Sequence, residues 1–71
     1  MRYAIVIEKG QTSYGAYVPD LPGCIAAAES REEVVQLIRE AIEFHIEAMR
    51  EEGLQLPTPA SSTDYVEIAI A

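Results

Sequence analysis

A long helix with a marked start and a marked stop constrains this chain more than any other feature. Ser30-Arg31-Glu32-Glu33 reads as a capping box: a serine at the N-cap accepts from the amide three residues on, and Glu33 stands at N3. Apolar residues then recur at helical spacing to about Glu52, and Gly53 is the natural residue to take the left-handed conformation that ends a helix. The helix occupies nearly a third of the 71 residues. It must lay an apolar face on another layer, and the flanking segments have to supply that layer. A chain of this length makes one domain, residues 1–71.

The flanks read as strands. Residues 2–9 are rich in β-branched residues, with Tyr3, Ile5 and Ile7 on one side and Ala4 and Val6 on the other. Gly10-Gln11-Thr12 suits a hairpin connection, and Ser13 to Val18 alternates as a second strand. In Pro19-Asp20-Leu21-Pro22-Gly23, Pro22 and Gly23 fit the central positions of a type II turn, and Asp20 is expected to bind backbone amides within that turn. Cys24 to Glu29 is a third strand, with small residues at Ala26-Ala27-Ala28. After a Pro57- and Pro59-bearing connector, Asp64 to Ile70 alternates again as a fourth. The expected class is α+β in the order β-β-β-α-β, with one long helix on one face. Right-handed crossover places the fourth strand beside the first and parallel to it. Ala4, Val6, Tyr17, Ile25 and Tyr65 give the sheet apolar character on both faces, so one face stays open unless another subunit covers it.

Such a small domain buries only about 60% of the surface its unfolded chain exposes, so its core is marginal. With one cysteine it forms no internal disulfide, and self-association to a dimer or tetramer is the natural supplement. The helix agrees. Its apolar residues spread over roughly 200°, where packing on one sheet needs about 100°. The surplus marks a protein-binding face, with Phe44 and Ile46 as its apolar candidates and Glu40, Glu43 and Glu47 as its acidic ones. The alternative is that Leu54-Gln55-Leu56 covers Phe44 and Ile46.

The net charge of −7 and five scattered basic residues argue against direct nucleic-acid binding and favour a basic partner. The apolar N-terminus reaches Glu8-Lys9 too soon for a signal peptide, and no segment approaches a membrane span; a cytoplasmic protein is expected. No catalytic set, cofactor motif or metal site stands out. His45, the only histidine, reads as buried or interfacial with a polar partner, and Cys24 as a small buried hydrophobe. Asp20 and Asp64 with Glu8 or Glu67 could in principle hold Mg²⁺, but their spacing singles out no such set. Gly10, Gly15, Gly23 and Gly53 are isolated and form no phosphate loop.

The run Gly15-Ala16-Tyr17-Val18-Pro19-Asp20-Leu21-Pro22-Gly23-Cys24, the capped helix, and the exit Glu52-Gly53 with Leu56-Pro57-Thr58-Pro59 resemble the HicB antitoxin family over nearly the whole chain. That resemblance implies a truncated ribonuclease H-like fold and an oligomer that binds and neutralises HicA, a small basic RNA-cleaving toxin. It implies no enzymatic activity. Two departures accompany it. Many HicB proteins carry a C-terminal DNA-binding domain where this chain stops at Ala71, which makes operator binding by this chain alone an unexpected property. Ala27-Ala28-Glu29 replaces a more polar approach to the helix. The alternatives are a homo-oligomeric module of the same fold serving another protein partner, and a residual metal-dependent nuclease built on Asp20.

Overall fold

A computed structural model describes residues 1–70. Three strands, β1 (Val6–Lys9), β2 (Tyr14–Tyr17) and β3 (Ile25–Ala28), precede one helix, α1 (Arg31–Glu51). They form an antiparallel sheet in the order β1-β2-β3, with α1 packed on β3 and β2. This is the α+β arrangement the sequence implies. The first strand is shorter than residues 2–9 for a local reason. The register pairs Val6 with Tyr17, so residues further upstream would face Val18 and Pro19. Proline has no N–H, and the Val18 amide already donates to the Cys24 carbonyl at 3.3 Å.

Two turns in succession connect β2 to β3. The Leu21 amide donates to the Val18 carbonyl, and the Cys24 amide to the Leu21 carbonyl, both at 3.1 Å. Each turn has proline at its second position, Pro19 and then Pro22, where a fixed φ is favourable. Gly23 at φ 86° supplies the positive φ that a type II turn needs at its third position. The three-residue repeat sends Val18, Leu21 and Cys24 into the core beside Ala16, Val34 and Ile38.

The helix ends are built as the sequence indicates. The Ser30 hydroxyl accepts from the Glu33 amide at 3.1 Å. At the other end the Gly53 amide donates to Arg50 and the Leu54 amide to Met49, with Gly53 at φ 72°. That pair of bonds is a Schellman motif.

The expected fourth strand is not formed within the described residues. Asp64 to Ile70 has no ladder partner and is exposed throughout. The connector is tied to the body at Tyr3 and Asp20, and the segment beyond it stays exposed without pairing at the β1 edge. Alternation alone does not hold a strand; it needs a neighbour and a cover.

Candidate functional site

The helix presents one flank to the core and another to solvent. Val34 and Ile38 are fully buried, and Ala41 and Ile42 pack against the same cluster. At about 100° per residue, Leu37 and Phe44 fall together on the flank facing away from β1, next to Glu40, Glu47 and Glu51. A shallow depression lined by Phe44, Glu47, Ala48 and Glu51 marks its centre. Phe44 is 76% exposed, so the connector Leu54–Leu56 does not cover it.

This geometry regroups the residues read from the sequence. Phe44, Glu40 and Glu47 share one flank. Glu43 stands further round, and Ile46 lies about 200° from Phe44, half-buried with Val35 and Ile42 on the other side. Leu37 and Glu51 complete the exposed flank and were not singled out in advance, although the i, i+7 spacing of Leu37 and Phe44 carries the signal.

The sheet's second face is another open surface. Val6, Tyr17 and Ile25 share it by strand alternation and register; Ile25 is 71% exposed and Tyr17 is exposed as well.

Asp20 does not bind amides of its own turn. Its Oδ2 accepts from the Ala60 and Ser61 amides, both at 2.9 Å, and its Oδ1 accepts from the Ser61 hydroxyl at 2.8 Å. The Ser61 amide, then the Ala60 amide and the Ser61 hydroxyl, hold this carboxyl below the usual carboxylate range. The reason for the correction is local: the turn's amides at Leu21 and Cys24 are already taken by backbone carbonyls, while the connector arrives with unpaired donors. A second tether runs from the Tyr3 hydroxyl to the Pro57 carbonyl at 2.6 Å. No local pattern announces either contact, because the partners lie 40 or more residues apart.

The remaining chemical candidates are quiet. Cys24 is a buried thiol, and burial pushes its pKa up, away from thiolate chemistry. His45 is half-buried on the helix, and its expected polar partner is not among the side-chain hydrogen bonds of the described residues. Among the described residues no group of three His, Cys, Asp or Glu side chains is placed to hold a metal ion, and no helix is long and apolar enough to cross a membrane.

Residues 3–69 match the family model described as HicB_like antitoxin of bacterial toxin-antitoxin system. The chain is similar to a chain of a solved HicA3 and HicB3 toxin-antitoxin complex, with TM-score 0.71 and 35% identity, covering 84% of this chain and 70% of that one. It is 41% identical over 66 residues to an uncharacterised 14.9 kDa protein from the rep-hol intergenic region of Haemophilus phage HP1, covering 93% of this chain. It is 26% identical over 69 residues to Antitoxin HicB 2 of Photorhabdus laumondii, covering 96% of this chain. The chain spans half the length of each of these last two relatives.

Proposed function

We propose, since the chain belongs to the HicB-like antitoxin family of bacterial toxin–antitoxin systems, that it binds and neutralises a small basic toxin of the HicA type. The observation that carries this reading is the solvent-facing helix flank, where an exposed Phe44 stands among Glu40, Glu47 and Glu51. An aromatic anchor within an acidic rim suits a basic partner: the ring supplies buried area on binding, and the carboxylates steer the approach. Its relationship to HicB, and to a chain solved in a HicA3–HicB3 complex, supports the same partner class. Neutralisation by this route is binding, with no reaction catalysed by this chain, in the cytoplasm where an RNA-cleaving toxin acts.

Self-association to a dimer or tetramer belongs to the same reading. Its support is the apolar surface left outside the core: Tyr17 and Ile25 on the sheet, and Tyr65, Val66, Ile68 and Ile70 in the tail. The nuclease alternative gains nothing from the geometry, since both oxygens of Asp20 are engaged by the connector.

Co-expression with a small basic HicA-type protein, where one is encoded beside this chain, tests the reading directly. Growth rescue together with co-purification is the expected result. Reversing Glu40, Glu43 and Glu47 to lysine should weaken the complex at least tenfold, and raising salt should weaken the native complex in parallel. A confirmed toxin that is neither bound nor neutralised would overturn the proposal. Full affinity after the three reversals would remove the helix flank from it.

A further inference from the structure

Beside β1 the helix-facing side of the sheet is only partly covered, because α1 packs mainly on β3 and β2 and Ile5 and Ile7 stay half-buried. The result is an open groove between β1 and the helix, lined by Ile5, Ile7, Val35, Ile38 and Ile42. Arg2, Lys9, Arg31 and Arg39, all exposed, stand around it. These are four of the five basic residues in a chain of net charge −7, so nearly all its positive charge is gathered at one apolar furrow. Along the furrow runs an edge strand. Among the described residues β1 pairs only with β2, which leaves one row of its backbone donors and acceptors open.

The segment Asp64–Ile70 has the complementary make-up. Val66, Ile68 and Ile70 alternate with Tyr65, Glu67 and Ala69, a strand pattern carrying two carboxylates, Asp64 and Glu67. The chain's own tail reaches the mouth of the groove at Thr63 and Tyr65 and does not enter it: Tyr65 is 95% exposed and Ile70 89%. The two tethers behind it, Tyr3 to Pro57 and Asp20 to Ala60 and Ser61, fix where it leaves the body. A segment with a strand pattern that projects from its own sheet is free to pair with a ladder on another chain.

We propose that the groove and the open edge of β1 receive the segment Asp64–Ile70 of a second copy of this chain, and that the exchange is reciprocal. Apolar side chains of the incoming tail cover Ile5, Ile7 and Val35, its backbone extends the sheet at β1, and Asp64 and Glu67 meet the basic rim. Because each copy gives a tail and takes one, the contact is self-complementary and closes as a two-fold dimer. The inference rests on the self-association part of the reading above and is separate from toxin binding.

Sedimentation velocity of the full chain over a wide concentration range tests it, with Ile68→Pro as the main variant and Val66→Pro as the second. Proline removes a ladder donor and breaks strand addition. Both positions are exposed and outside the folded elements, so the helical signal in far-UV circular dichroism should be unchanged. The native chain is expected to dimerise, and each proline variant to raise the dissociation constant at least tenfold. An unchanged dimer in both variants would overturn the tail exchange and leave self-association standing. A native chain that stays monomeric at every concentration would overturn both, while co-purification with toxin would still report on the toxin reading alone.

Discussion

At Asp20 one carboxylate accepts from two amides and a hydroxyl 40 and 41 residues along the chain. Those bonds favour the charged form and hold its pKa below the usual carboxylate range. A group whose folded pKa is depressed contributes stability that is fully present above the unfolded value, near 3.9, and is lost as pH falls through the folded value. The connector should therefore stay docked at neutral pH and release only in acid. In a titration followed by amide NMR shifts, Ala60 and Ser61 should move together with one midpoint below about 3.9. Asp20→Asn should give the released shifts at pH 7 while the amides of β2 keep theirs. Flat shifts for Ala60 and Ser61 across the acid range would mean that the tether does not form. The sequence shows that Asp20 is a polar residue beside a tight turn, and no more. Its partners could not be read, because a contact 40 residues away leaves no trace in local spacing.

At the scale of elements, legibility tracks how local the forces are. Both ends of α1 could be read residue by residue, since a cap is made within a few positions of the residue that caps. Ser30→Ala should accordingly cost about 1 kcal/mol in urea unfolding, and Ser30→Asp should cost little, because an aspartate oxygen can accept from the Glu33 amide in the same way. Equal losses for both variants would mean that Ser30 matters for something other than its cap. The turn at Pro22 and Gly23 was legible for the same local reason, while the preceding turn at Pro19 appears only in the structure. The segment 64–70 was not. Its alternation states correctly which side chains share a face, but a strand also needs a neighbouring ladder, and the pattern does not say which chain supplies it. The helix's surplus apolar arc was visible as a total. How it divides between Phe44 on one flank and Ile46 on the other depends on where the sheet sits beneath it.

At the scale of the whole molecule, extents of 53 × 26 × 16 Å describe a small body with an arm. A 21-residue helix spans only about 30 Å, so the long dimension also includes the exposed tail. Among the described residues six form the buried hydrophobic cluster, too few to make the body robust on its own for a chain of this size. If assembly with a second copy completes that core, folding and association are one equilibrium, and stability depends on concentration. A dimer that dissociates as it unfolds gains about 1.4 kcal/mol per tenfold rise in concentration, shared between its two chains. With the usual unfolding entropy per residue, each tenfold rise should lift the melting temperature by about 5 °C. Calorimetry of the native chain between 10 µM and 1 mM, concentrations chosen to be roughly two decades apart, should show that drift. The Ile68→Pro chain should melt lower and with little dependence on concentration. A native melt that stays fixed over the same range would mean that the small core suffices by itself, and that the tail's exposed apolar residues serve a partner other than a second copy.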